Sequence, residues 1–250
     1  MINYYFWGFL SIAPWAFAVL ASYPEHERKQ NVTKILLVVF FSLVLGYVAT
    51  EIILILHPIL WKTTDVSFRK PTSMLTQTAH AAFIEAGLME ETFKAILIIT
   101  LGMLISFDRK TKKFDHSIVV VAAFIALGFS VIENSMYISK ETDLKRKIDM
   151  FMGRTFHSSI IHLLINILFG LFLFKTNSLK GNDKLKLGFA AYLLAILQHG
   201  LADFFLIPGS IFGSFVNSAF FAGIWVLVAR MWRDAMNTSV PRQQSPVITA

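Results

Sequence analysis

Two adjacent carboxylates, Glu90 and Glu91, sit inside a run from Leu75 to Ile105 that is otherwise apolar and long enough to cross a bilayer. A charged side chain near the centre of a membrane costs at least ~2.5–3.5 kcal/mol on insertion scales. Two in succession therefore have to face a protein interior or a wet cavity, with partners. Lys94 follows Glu90 by four residues and Glu91 by three, so a helix sets it beside both. Such a cluster reads either as an ion pair that locks helix packing or as a reactive site. The remaining polar residues bear on that choice.

The rest of the chain supports a membrane setting. Of its 250 residues 55% are hydrophobic and 16% charged, which excludes a disordered chain and is high in apolar content for a soluble domain. The absence of cysteine excludes disulfides, a thiolate nucleophile and cysteine-ligated metal. The net charge of +7 lies mostly between the apolar runs, which points to anionic lipid headgroups and a topology signal rather than to nucleic acid.

The pattern predicts an all-α, polytopic transmembrane bundle. Spans are expected at about 4–21, 35–56, 75–105, 118–138, 151–174, 187–207 and 211–232. An eighth would require splitting the third at Gly87, where no polar loop exists. Residues 1–234 read as one domain with its polar motifs in about 75–206, and 235–250 as a disordered tail. Lys and Arg number fourteen in the segments of one side and seven on the other, which orients the N-terminus outside and the C-terminus in the cytoplasm.

Later spans carry further polar residues. The fourth holds Glu133 and Asn134 in GFSVIENSMYI. In the fifth, Arg154, Ser158, His162 and Asn166 follow four-residue steps and form one drifting polar stripe. In the sixth, His199 and Asp203 are one turn apart, so that Asp203 can fix the His199 tautomer. Any one of these is explicable as packing glue between helices. Their convergence is not: at ~1.5 Å rise per residue, Glu90, Glu133, His162 and His199 fall at comparable depth on four helices.

A glutamate within reach of a histidine can activate water for attack on a peptide carbonyl, with His, Asn or Lys donors for the oxyanion. A proton-coupled transporter uses the same parts, although the paired broken helices of such folds are missing. A non-catalytic membrane binding or immunity protein is a third reading. No HExxH zinc helix, serine elbow or GxGD motif is present; His26-Glu27 has no second His after it. Glu85 and His80, and likewise His157, fall off the expected face. The Gly209–Gly213 spacing and the sequons at Asn31 and Asn237 carry little weight.

Taken together, EETFK, GFSVIEN, the run from Arg154 through His162 to Gly170, and HGLAD resemble the four motifs of the PrsW family of intramembrane proteases, in order and spacing from about residue 80 to 205. The family is grouped in this reading with the CAAX-prenyl endopeptidases and bacteriocin-immunity (Abi/CPBP) proteins. One departure is Asn166, where threonine is usual. The resemblance implies a glutamate-dependent, metal-independent intramembrane endopeptidase of the prokaryotic cell membrane that needs no cofactor. Its expected partners are the bilayer and a membrane-associated protein substrate, such as an anti-sigma factor cut at an extracytoplasmic site. It implies Glu90 as the water-activating base, with Glu91 and Lys94 as electrostatic partners. His162 would assist the water, and His199 with Asp203 would face the oxyanion. Glu133 and Asn134 would contact substrate or support those that do, and Arg154 and Asn166 complete the supporting set.

Overall fold

The structure is a computed structural model that describes residues 2–25, 32–61 and 71–237. Among the described residues there are seven long helices: α1 (Ile2–Ser22), α2 (Val32–Leu60), α3 (71–105), α4 (Ser117–Lys140), α5 (144–175), α6 (Asn182–Leu206) and α7 (Ile211–Asn237). Six of them are long and apolar enough to span a membrane. The other is α3, whose charges are those of the glutamate cluster. The expected all-α polytopic bundle is therefore what the chain forms. Between α3 and α4 the basic loop folds into a short antiparallel pair, β1 (Phe107–Asp108) and β2 (Lys113–Phe114).

Helix α4 is the axis of the bundle. Its sequence IVVVAAFIALGFSVI has no polar face, and 94% of its apolar window is buried, against 22–33% for α1, α2, α6 and α7. A helix apolar on every side belongs inside, and α5, with 72% of its window buried, lies against it. Helix α2 crosses α4 at a pair of glycines. A Cβ on Gly46 would overlap the carbonyl oxygen of Ile125, and one on Gly128 that of Leu43. Close backbone approach at small residues is how membrane helices gain contact where no hydrophobic force separates protein from lipid.

Two helices contain wide turns. Helix α3 is α-helical over Pro71–His80, π-helical over Ala81–Leu88 and α-helical again over Met89–Ile105. Helix α5 opens as an amphipathic segment, Leu144–Gly153, passes through a π turn at Arg154–Ser158 and continues as Ser159–Lys175. Residues 144–150 thus extend the fifth helix where a loop is expected, because Asp143 caps them by accepting from the Arg146 amide. Each π turn shifts the face that follows it, and such turns gather at functional sites.

The end of the bundle opposite the polar centre is tied by side chains. Lys34 pairs with Asp115. Asn177 holds both the N–H and the C=O of Phe114, at 2.8 and 2.7 Å. His116 lies 2.9 Å from the carbonyl oxygen of Ala235. Helix α7 runs to Asn237, so its last three residues fall within the expected tail; residues 238–250 lie outside the described residues, as do His26, Asn31 and the connection 62–70.

Candidate active site

Helix α3 presents Glu90, Glu91 and Lys94 on one face immediately after its π turn. Lys94 is fully buried, and its ammonium is the hub. It lies 3.2 Å from Glu90 Oε2, 2.8 Å from Glu91 Oε1 and 3.1 Å from His162 Nδ1, with the Phe129 ring centroid 3.8 Å away. An ammonium only donates and a carboxylate only accepts. His162 therefore accepts at Nδ1 and donates from Nε2 to Glu133 Oε2 at 2.8 Å. The other oxygen of Glu133 pairs with Arg154 at 2.7 Å.

The two adjacent glutamates differ in their engagement. Glu91, 1% exposed, accepts from Lys94 and faces His199 Nδ1 at 2.7 Å through Oε1, and accepts from Asn166 Nδ2 at 3.3 Å through Oε2. Both of its oxygens are held in the interior. Glu90 is 17% exposed on its side chain, touches Lys94 at 3.2 Å and His199 Nε2 at 3.8 Å, and lines a cavity of about 700 Å³. Glu133, Arg154, His162, His199 and Asp203 line the same cavity. With Nδ1 fixed by Glu91, His199 turns Nε2 toward Glu90 and Asp203 at the cavity wall.

All ten residues singled out by sequence thus belong to one connected cluster, but two differ in their contacts from the parts expected of them. The His199 ring is set by Glu91 at 2.7 Å rather than by Asp203, which stands 3.5 Å off and is half-exposed. A neighbour one turn along the same helix loses here to a closer one from another helix. Both nitrogens of His162 are occupied, so at the cavity wall it links Lys94 to Glu133 and has no free nitrogen for a water. Asn134 is fully buried and does not reach the cavity. Its amide donates to Ser11 Oγ at 2.7 Å and Ser159 Oγ at 2.8 Å, and its oxygen accepts from Arg154 Nε at 2.8 Å. It holds Arg154, which pairs with Glu133, and so takes the supporting one of its two expected parts.

Several residues outside the expected set support this centre. Phe129 floors the ammonium, and Ser11 and Ser159 anchor Asn134. Ser11 carries a weak signal, a small polar residue three positions after Gly8 in an apolar helix. Glu85 and His80 bond to each other rather than to the Lys94 cluster, and Glu85 also bonds His57 on α2. His157 lies at 2.9 Å from Asn217 of α7. The Gly209–Gly213 pair packs within the turn, where Gly213 meets the carbonyl of Phe205.

Comparison with known proteins gives the chain a family. Residues 34–231 match the family model described as PrsW family intramembrane metalloprotease. A protein named protease PrsW from Clostridioides difficile (strain 630) is 34% identical over 137 residues, 52% of this chain and 53% of that protein. Proteins of the same name from Geobacillus kaustophilus (strain HTA426) and Oceanobacillus iheyensis (strain DSM 14371) are 23% and 28% identical, over 70% and 64% of this chain and 72% and 69% of theirs. The chain thus aligns with about half the length of the first of these relatives. No solved structure matches it. The wider grouping with CAAX-prenyl endopeptidases and immunity proteins finds no support in these matches.

The family description implies a metal ion, and the donor types are present. One ligand atom each from Glu90, Glu91, His162 and His199 lie within 4.8 Å of one another. The Lys94 ammonium, however, stands among them, bonded to three of the four. An ion ligated at ~2.0–2.2 Å by those atoms would have to share the space and the charge that the ammonium supplies. As placed, these residues do not fit a resident divalent ion. The four motifs are nevertheless in place on four helices and the family model covers most of the 250 residues, and the chain belongs to the PrsW family.

Proposed function

We propose that this protein is an intramembrane endopeptidase in which Glu90 activates water without a metal ion. The observation that carries the reading is the division of labour between the adjacent glutamates. Glu91 has both oxygens engaged, whereas Glu90 keeps one face on a cavity shared with His199 and Arg154. Glu90 takes a proton from a water in that cavity as its oxygen attacks the scissile carbonyl carbon. The oxyanion that forms accepts from the Nε2–H of a His199 imidazolium, whose Nδ1–H donates to Glu91 and fixes the ring. Glu90 then returns the proton to the leaving amine, so that one water and one peptide bond yield a carboxyl and an amine. Lys94 balances the paired carboxylates throughout, with His162 and Asn166 holding the frame.

The substrate class is a single-pass or membrane-associated protein, cut near the extracytoplasmic face as for an anti-sigma factor. The cavity is bordered by Glu141, Arg146 and Asp149 at the α4–α5 connection and by Ser214 and Ser218 of α7. The excess of basic residues on the other side of the bundle supports reading that end as extracytoplasmic. A reporter fused in the Pro208–Ser214 turn should be external and one after Trp232 cytoplasmic; both on one side would reject the orientation.

Purified protein reconstituted with a panel of single-pass substrates tests the activity. Cleavage that survives a strong chelator is the expected result. Stoichiometric zinc in active protein, with cleavage lost on its removal, would overturn the metal-free mechanism. Proton-coupled uptake without cleavage of any substrate would favour a transporter.

A further inference from the structure

Glu85 and its two histidines take no part in the chemistry proposed above. The Glu85 side chain is 7% exposed and lies 3.1 Å from His57 Nε2 and 2.9 Å from His80 Nδ1. Those imidazoles are 41% and 45% exposed, at the last turns of α2 and of the opening segment of α3. The Trp61 ring lies 5.5 Å from that of His57. Tryptophan beside an exposed histidine at a helix end marks headgroup depth. At that depth a carboxylate held between two half-exposed imidazoles keeps contact with water rather than with acyl chains.

Behind this cluster a second cavity, of about 290 Å³, runs inward between α2, α3 and α4. Glu85, His57, Thr50, Ile53 and Phe129 are among its walls, and it reaches Glu90 and Glu133. At ~30 Å³ per molecule its volume holds on the order of ten waters. The same two carboxylates line the 700 Å³ cavity, whose other walls come from α5, α6 and α7. Glu90 therefore stands between two compartments built from different helices. A peptide seated in the large one displaces the water there, yet each bond cut consumes one water molecule.

We propose that the small cavity is a water port that delivers the hydrolytic water to Glu90 while substrate fills the large cavity. The His57–Glu85–His80 cluster holds its mouth wet, with Glu85 as a positioning residue rather than a catalytic one. The proposal rests on the protease reading of the large cavity.

The natural absence of cysteine makes the test direct. Ile53 is 5% exposed and lines the port, whereas Ile55 is 64% exposed on the outside of α2. In proteoliposomes a water-soluble, membrane-impermeant thiosulfonate should modify Ile53→Cys and leave the lipid-facing Ile55→Cys unreacted. The modified Ile53→Cys should lose kcat by about tenfold or more at unchanged KM, because water supply rather than substrate binding is blocked. Glu85→Gln, which keeps the mouth polar, should retain parental kcat, and Glu85→Leu should lose it at unchanged KM and thermal midpoint. An unreactive Ile53→Cys, or a labelled one with parental kcat, overturns the port. So does a fully active Glu85→Leu. Glu90→Gln in the same assay reports on the protease reading separately, and labelling of Ile53→Cys reads the port even where no substrate is cleaved.

Discussion

Replacing Lys94 by methionine removes the ammonium while keeping an unbranched chain of similar bulk. Three bonds go with it, at 2.8, 3.1 and 3.2 Å, from a side chain with no exposed surface. Glu91, also interior, is left with one imidazole and one amide. Breaking a buried pair from one side costs about 3–5 kcal/mol, and the full burial here argues for the upper half. At ~2–4 °C per kcal/mol for a chain of this size, the thermal midpoint should fall by roughly 8–20 °C. Adding Glu91→Gln to Lys94→Met should recover part of that loss, because the amide no longer needs a countercharge. The assay is thermal unfolding of the parent, both single variants and the double variant in one detergent. A Lys94→Met protein that melts with the parent would refute the account of the ammonium as hub. One that also gained a tightly bound divalent ion would show that the four surrounding donors form a metal centre.

Other perturbations follow from particular contacts. Gly128→Ala forces a Cβ against the Leu43 carbonyl, so it should destabilise the α2–α4 crossing by about 1–3 kcal/mol, read as a lower thermal midpoint. Asn134→Ala frees Arg154 and should reduce kcat more than thermal stability, whereas Asn134→Ser with parental kcat and Asn134→Ala with parental kcat would together remove any positioning role. His157 bonds Asn217 and lines the large cavity without bonding the glutamate cluster, so His157→Ala should leave kcat within about twofold of the parent, any change falling on KM.

What the sequence made legible was the part governed by local rules. Apolar length set the seven helices, and the four-residue steps of α5 put Arg154, His162 and Asn166 on one side, where the structure has them. The spacing of Glu90 and Glu91 from Lys94 gave the ion pairs directly. Contacts between distant segments were not readable in this way. His57 reaches Glu85 across 28 residues, and Glu91 displaces Asp203 as the closest partner of His199 across 108. The π turns were equally hidden, since a one-residue slip in the backbone ladder leaves the composition of an apolar stretch unchanged. The amphipathic start of α5 reads as a charged loop because its apolar side chains are few, and Leu144, Ile148 and Met152 stay exposed.

Turnover of Glu90→Gln tests the central claim most directly. The amide keeps the shape and the contact with Lys94 but cannot take a proton, and a neutral group is cheaper to hold in the membrane than a carboxylate. Cleavage rate and thermal midpoint are measured on the same purified sample. The account predicts a rate lower by ~10²-fold or more with the midpoint at or above that of the parent. A Glu90→Gln protein that cleaves at the parental rate, or one whose loss of activity tracks its loss of fold, would contradict it.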